Sequence, residues 1–179
     1  MDMKRLLSLI LVSCLLLCSV AFADEAAEAP AEAVEVVLPE VAIELDESIS
    51  LVSEQEESEF SLKLYMVDEA MLLYQMSMPA EIGAADMSAT MLGELPADAS
   101  VTVDDDGAHQ RVMYLIDDAE YPTYVDVFTV WENGCTVCLM AMADGSVYDQ
   151  IALSDQMNAW LATMTVNGNA VVQADEPAE

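Results

Sequence analysis

Basic residues are scarce in this sequence. Its 179 residues include four Lys and Arg together, against 34 Asp and Glu, and the formal net charge at pH 7 is −30. A chain with this charge repels phosphate groups, which argues against binding to nucleic acids and to anionic membrane surfaces. We therefore expect no nucleic-acid partner and a surface whose self-repulsion favours solubility.

Histidine and cysteine are also scarce. His109 is the only histidine, so no Ser-His-Asp or Cys-His arrangement can be argued from the sequence. The four cysteines include a single Cys-x-x-Cys pair, and no second pair or histidine cluster completes a zinc site. No glycine-rich phosphate-binding loop is present. Carboxylates are so abundant that a pair of them is no indication of glycoside hydrolysis.

The N-terminus has the three parts of a secretory signal peptide. Lys4 and Arg5 form a positive region, Leu6–Val20 is a mostly apolar run, and Ala21–Ala23 is a small-x-small cleavage site. The apolar run is shorter than the roughly 20 residues that a membrane-spanning helix needs. We expect residues 1–23 to be removed, which predicts a secreted or extracytoplasmic protein without stable membrane insertion.

An alternative interpretation concerns Cys14. Leu11–Cys14 fits a bacterial lipobox, in which the cysteine is acylated after cleavage. The apolar run in front of Cys14 is short, and cleavage there would leave apolar residues on the mature protein. A lipid anchor at Cys14 is therefore the minority alternative to release into solution.

The remaining sequence divides into a leader, one domain and a tail. Residues 24–41 are rich in Ala, Glu and Pro, which is typical of a solvated tether. Residues 42–172 are predicted to form a single folded domain, because the chain is 55% hydrophobic, far more than a disordered acidic polymer contains. Residues 173–179 are predicted to be disordered.

Alternation of apolar and polar residues is the main structural signal within the domain. It is clearest over residues 60–66, which predicts a half-buried strand. Residues 70–78 fit either a strand or a short helix, and residues 86–92 are weakly helical. Residues 100–103 and 110–116 predict two strands joined through an acidic Asp-Asp-Asp-Gly turn.

The best-defined motif is a β-hairpin. Two β-rich segments at 124–131 and 135–142 flank Asn133 and Gly134, two residue types that tolerate positive φ. A two-residue loop fixes the pairs across the hairpin, which are Trp131 with Thr136 and Thr129 with Cys138. One face then carries Val127, Thr129, Trp131, Thr136, Cys138, Met140 and Met142, and the other carries Phe128, Val130, Val137 and Leu139. Both faces are apolar, so the hairpin is predicted to be central and covered on both sides.

The C-terminal part predicts another strand and then a helix. Residues 146–153 fit a strand, and Ser154 is a good helix N-cap. The next apolar residues have the i, i+3, i+4, i+7 spacing of one helix face, and they are Met157, Trp160, Leu161 and Met164. The sequence therefore predicts an α+β fold, a mostly antiparallel sheet with a C-terminal amphipathic helix packed on it.

This order of elements resembles the PsbP-like fold, which also includes DcrB-type bacterial envelope proteins. The resemblance covers residues 58–166 and rests on the strand QRVMYLID, the hairpin YVDVFTVWENGCTVCLMAM, the segment SVYDQIAL and the closing helix SDQMNAWLATM. It implies an antiparallel sheet between helices. Members of that fold are mostly non-enzymatic binding or assembly factors. The resemblance transfers no functional residue, because no residue-level signature matches.

Cys135 and Cys138 form the Cys-x-x-Cys pair and are the only cysteines beyond the predicted cleavage site. In a regular strand, residues i and i+3 point to opposite faces with Cα atoms about 10 Å apart, beyond the roughly 7 Å limit for a disulfide. The strand prediction therefore excludes a bond between them. Buried thiols, a local disulfide in a later-starting strand, a redox-active pair and a metal site remain as alternatives.

Methionine is abundant, with 13 residues in the chain. Cys138, Met140 and Met142 share one predicted strand face, and such soft ligands suit Cu(I). The simpler interpretation is that methionine fills the core.

The sequence favours a secreted, non-enzymatic binding or envelope-assembly domain for an unknown protein or small ligand, with no cofactor. The alternative is an extracytoplasmic thiol-disulfide oxidoreductase that uses Cys135 and Cys138. A soft-metal carrier is a third hypothesis.

Overall fold

A computed structural model describes residues 37–103, 107–118 and 120–171. The predicted signal peptide, most of the predicted leader and the predicted tail at 173–179 lie outside the described residues. Within them the chain forms ten strands and two helices. The strands are β1 (Val41–Ala42), β2 (Ser50–Glu57), β3 (Phe60–Asp68), β4 (Met71–Met78), β5 (Ser100–Val103), β6 (His109–Ile116), β7 (Thr123–Glu132), β8 (Cys135–Asp144), β9 (Thr165–Val166) and β10 (Asn169–Ala170). The helices are α1 (Ala84–Leu92) and α2 (Gln150–Thr163).

Seven of these strands form one antiparallel sheet in the order β2-β3-β4-β8-β7-β6-β5. It consists of two meanders, β2-β3-β4 and β5-β6-β7-β8, which join where β4 pairs with β8. A small sheet of β1, β9 and β10 completes the strands of the described part. The predicted α+β class with a mostly antiparallel sheet is confirmed, and the ambiguous segment at 70–78 is a strand.

The predicted hairpin has the expected register. Trp131 lies opposite Thr136 and Thr129 lies opposite Cys138. Asn133 and Gly134 have φ values of 53° and 75°, the positive values that a two-residue hairpin turn requires. β8 is the middle strand of the seven, and nearly all of its side chains are buried.

Both faces of the hairpin carry buried apolar side chains. We name them the Phe128 face, with Phe128, Val130, Val137 and Leu139, and the Cys138 face, with Val127, Thr129, Cys138 and Met140. The Phe128 face belongs to one apolar cluster that also contains Leu153, Met157, Trp160 and Leu161 of α2. On the Cys138 face, Ser88 of α1 shares a hydrogen bond with Tyr114 of β6, with 2.5 Å between the hydroxyl oxygens.

The predicted strand at residues 146–153 is wrong, and so is the N-cap at Ser154. Helix α2 begins at Gln150, and its N-cap is Asp149, whose carboxylate accepts from the Ala152 backbone N–H at 2.8 Å. Leu153 is buried four residues before Met157, whereas Ile151 is 72% exposed, which is helical rather than strand periodicity. Capping by Asp149 therefore starts the helix five residues earlier than the Ser154 signal indicated.

Arg111 and Asp126 form a bidentate ion pair beneath α2. Arg111 Nε donates to Asp126 Oδ1 at 2.8 Å, and Nη2 donates to Oδ2 at 2.5 Å. The same guanidinium donates to Asn158 Oδ1 at 2.6 Å and to Ser154 Oγ at 3.1 Å, so it also holds α2. Asp126 is fully buried, and burial raises the pKa of its carboxyl group, although the Arg111 hydrogen bonds and charge oppose that rise.

Two threonines of the Cys138 face differ in how well their hydroxyl groups are satisfied. Both Thr129 and Thr136 are fully buried. Thr136 Oγ1 donates to the Ala80 carbonyl at 2.5 Å and accepts from the Ile82 N–H at 2.8 Å. Thr129 Oγ1 has no hydrogen-bond partner among the described residues.

We expect Thr129→Val to raise the free energy of unfolding by about 1 kcal/mol, because it removes an unsatisfied buried hydroxyl and keeps the β-branched shape. Thr136→Val is the matched control, and it should lower that free energy by about 1–3 kcal/mol because it leaves the Ile82 N–H unpaired. Urea unfolding measures both changes. Destabilisation of both variants by the same amount would contradict the assignment of the Thr129 hydroxyl as a buried group without a hydrogen-bond partner.

We expect Arg111→Met to lower the free energy of unfolding at pH 7 by about 3 kcal/mol, because it leaves the Asp126 carboxylate buried without its partner. The substitution also removes both influences that lower the pKa of Asp126, so this pKa lies further above the usual 3.8. At pH values between 3.8 and this raised pKa, the folded variant binds more protons than the unfolded variant, so the free energy of unfolding of Arg111→Met falls as the pH rises.

The cost of Arg111→Met should therefore be smaller at pH 4 than at pH 7, as measured by urea unfolding of both proteins at both pH values. Lys63→Met is the control, since Lys63 pairs with the exposed Glu54 at 3.1 Å and should contribute less than about 1 kcal/mol. An equal cost of Arg111→Met at the two pH values would show that Asp126 does not carry the effect.

Candidate functional site

Strand β6 extends beyond its neighbour β5 at one end. The last pair between the two strands is Ser100 with Met113, whereas β6 continues to Ile116 and stays paired with β7 up to Thr123. The segment 114–116 of β6 therefore has β7 on one side and no β5 residue on the other.

The hydrogen-bond pattern gives the direction of the backbone groups in this segment. The Trp131 N–H donates to the Ala108 carbonyl at 3.0 Å, and bonded pairs alternate along an antiparallel ladder. By this alternation Val112 and Tyr114 turn their backbone groups toward β7, whereas Leu115 turns its N–H and C=O away from β7. The Leu115 groups point to the side where β5 has ended, which is where a further strand would lie.

A groove of about 430 Å³ lies at this exposed end of β6. Its lining residues come from the end of α1, from the loop that follows α1, and from the end of β6, and they are Leu92, Glu94, Pro96, Asp98, Tyr114, Leu115, Ile116 and Asp117. Leu92, Pro96 and Ile116 are half-buried and form an apolar floor, whereas the Leu115 side chain lies on the opposite face of the sheet from Ile116, so Leu115 borders the groove with its main chain. Glu94, Asp98 and Asp117 are exposed, so the apolar floor is bordered by three acidic side chains.

Local interactions hold the walls of the groove. Gly93 ends α1 with φ of 100°, a conformation that favours glycine, and its N–H bonds to the Ala89 carbonyl. This turn directs the following loop away from the helix axis. On the other wall, the Ser88 hydroxyl holds the Tyr114 hydroxyl, and burial raises the pKa of Tyr114, so the phenol stays neutral at physiological pH.

The structure does not bring Cys135 and Cys138 together. Both thiols are free and fully buried, and their positions on β8 place them on opposite faces of the sheet. Burial raises the pKa of both thiols, most strongly for Cys138. The thiolate is the reactive and metal-binding form of cysteine, so this environment disfavours both redox chemistry and metal binding.

The soft-metal candidates do share one face of β8. Cys138 and Met140 are fully buried, and Met142 is half-buried. Met76 lies opposite Cys138 on β4, which the sequence pattern did not indicate. In the described ranges, no group of three or more His, Cys, Asp and Glu side chains is arranged to hold a metal ion.

His109 lies at the end of β6 opposite to the groove. Its ring stacks on Phe128 with 6.0 Å between the ring centroids. It is half-buried in the sheet.

Sequence reasoning missed the groove. Its acidic residues are three among 34, and no local pattern distinguishes them from the others. The only local signal was the Gly-Glu-Leu-Pro segment at 93–96, which marks a loop after a helix. Which strand edge this loop borders depends on the pairing of β5 with β6.

We expect Cys135 and Cys138 to react with a thiol reagent such as DTNB only after unfolding, because both are buried and protonated in the folded chain. A chain that carries Cys14→Ser and Cys18→Ser restricts the measurement to these two thiols. The native protein should release no chromophore within minutes, and the protein in guanidinium chloride should release two equivalents. Fast reaction of either thiol in the native state would return the redox alternative to consideration.

Among the described residues, no helix is long and apolar enough to cross a membrane. Comparison with known protein families and with curated proteins finds no match to this chain.

Proposed function

We propose that this protein is a non-enzymatic binding or envelope-assembly domain that acts outside the cytoplasm, and that it holds an extended segment of a partner protein in the groove beside Leu115. The observation that carries the proposal is the orientation of the Leu115 N–H and C=O toward the groove, two residues beyond Met113, the last residue of β6 that pairs with β5.

Strand addition is the binding mode that fits this geometry. An extended peptide that pairs with an exposed strand edge gains affinity from main-chain hydrogen bonds and specificity from pockets for alternate side chains. Leu115 supplies the main-chain groups. The apolar floor of the groove, with Leu92, Pro96 and Ile116, supplies the pocket.

The opposite edge of the sheet is built differently. β2 carries Glu54, Glu56 and Glu57, and its pairing with β3 shifts register after Leu51. Charges and bulges on an edge strand discourage pairing with another chain. The edge at β6 combines main-chain groups that point away from β7 with an apolar floor, which favours it as the binding edge.

The proposal also includes secretion of the protein and an envelope-protein type of fold. The basic N-terminus, apolar run and Ala21–Ala23 site predict secretion. The amphipathic helix α2 packs on the Phe128 face and leaves the groove at the end of β6 accessible. A PsbP-like or DcrB-type envelope protein would fit this arrangement.

The thiol-disulfide oxidoreductase alternative has less support. Such an enzyme needs an accessible thiolate, whereas Cys135 and Cys138 are buried on opposite faces with raised pKa values. Cys138, Met140 and Met76 are buried, which fits a core at least as well as a soft-metal site.

A displayed library of random peptides, selected on the full protein, tests the proposal. Leu115→Pro removes the outward N–H without removing a hydrogen bond to β7, since proline is tolerated where an edge N–H faces away from the sheet. Enriched peptides should lose at least tenfold in affinity on Leu115→Pro, because the variant cannot donate the central main-chain bond. Leu115→Ala keeps the N–H and should retain most of the affinity.

Val101→Pro is the matched control on the neighbouring edge strand, because the alternation also turns the Val101 N–H outward. Urea unfolding confirms that each variant folds. Peptides that bind Leu115→Pro as tightly as the original protein, or a library that yields no binder, would contradict the proposal.

A further inference from the structure

We infer that the segment held in the groove is cationic, an extended peptide in which Lys or Arg side chains alternate with apolar ones. This inference rests on the proposed function and names the chemistry of its partner.

The acidic border of the groove is not neutralised by the basic side chains of the described part, which are Lys63 and Arg111. Lys63 lies on β3 and pairs with Glu54 and Glu56 of β2. Arg111 is bonded to Asp126, Asn158 and Ser154. Both cations are therefore engaged elsewhere, and the negative charge at the groove is available to a partner.

The charge on the groove also discriminates between possible occupants. A second copy of this chain would bring a formal net charge of −30 against the same surface, so self-repulsion opposes pairing of two copies at this edge. A cationic segment is attracted instead, and clefts lined by one sign of charge concentrate partners of the opposite sign.

Lysine and arginine match both parts of the groove. Their stems are apolar and their ends are charged, so one side chain can cover apolar surface while its charge stays in water. The floor contains Leu92, Pro96 and Ile116, and the exposed acidic side chains Glu94, Asp98 and Asp117 lie around it. A side chain that lies along the floor therefore brings its charged end to this border.

Three capped peptides test the inference, namely acetyl-KVKVK-amide, acetyl-QVQVQ-amide and acetyl-EVEVE-amide, each with affinity measured by calorimetry in 50 mM salt. All three can pair along a strand edge; QVQVQ and EVEVE are close in shape and differ in charge, whereas KVKVK adds both positive charge and longer apolar stems. KVKVK should bind about tenfold more tightly than QVQVQ, since three exposed ionic contacts each contribute a few tenths of a kcal/mol. EVEVE should bind more weakly than QVQVQ. The preference for KVKVK should shrink in 500 mM salt.

Two triple variants separate the groove from the general surface charge. Neutralising the border with Glu94→Gln, Asp98→Asn and Asp117→Asn should bring the affinity for KVKVK to that for QVQVQ. The matched control, Glu47→Gln with Glu59→Gln and Glu69→Gln, removes the same charge from loops around β2 and β3. The control should change the affinity for KVKVK less than twofold.

The outcomes separate the two proposals. Equal binding of KVKVK and QVQVQ, with both lost on Leu115→Pro, would overturn the cationic preference and leave strand addition standing. KVKVK binding that both triple variants weaken equally and that Leu115→Pro does not change would reflect attraction to the acidic surface as a whole, and it would overturn both proposals.

Discussion

The register of the β7-β8 hairpin is the constraint on which the rest of the structure depends. Side chains alternate between faces with a period of two, so a slip by one residue would exchange the two faces of the sheet. The turn at Asn133 and Gly134 fixes this register. It thereby places Phe128 on the face that shares an apolar cluster with α2, and it places Cys138 on the other face.

The same register reaches the groove through β7. In an antiparallel ladder, a residue that bonds one neighbour turns its backbone away from the other, so the bonding of β7 to β8 determines which β7 residues face β6. The bond from the Trp131 N–H to the Ala108 carbonyl shows that Trp131 is one of the β7 residues whose backbone faces the β6 side. On β6, the strand next to the hairpin, the outcome is that Leu115 presents its main-chain groups to the groove.

In the described part of the chain, the two basic residues, Arg111 and Lys63, each hold several other groups. Arg111 uses its planar fork on Asp126 and reaches two residues of α2, so one side chain joins β6, β7 and the helix. Lys63 is held by two glutamates at the other edge of the sheet. The acidic groups elsewhere, including those around the groove, therefore give the described surface its strongly negative character.

The sequence by itself determined the α+β class, the hairpin with its register and half of the ten described strands, because these depend on residues close in the chain. Alternation over a few residues, an Asn-Gly turn and a repeat of four apolar positions are local patterns, and they predicted β3, β5, β6, β7 and β8. Where local signals competed, the prediction failed. Asp149 and Ser154 are both good N-caps, and the helix uses Asp149, which places the buried Leu153 within the helix. β2 escaped prediction because all its side chains are exposed and show no apolar alternation.

Only the tertiary structure decided which distant residues meet. The pairing of β4 with β8, which sets Met76 opposite Cys138, and the bonds from Arg111 to α2 join segments tens of residues apart. The groove likewise exists because β5 pairs with four of the eight residues of β6, while the loop after α1 passes beside the uncovered end. Local patterns carry the period of an element and the chemistry of a turn. They carry no information on which edge a loop will border, because that depends on the strand order of the whole sheet.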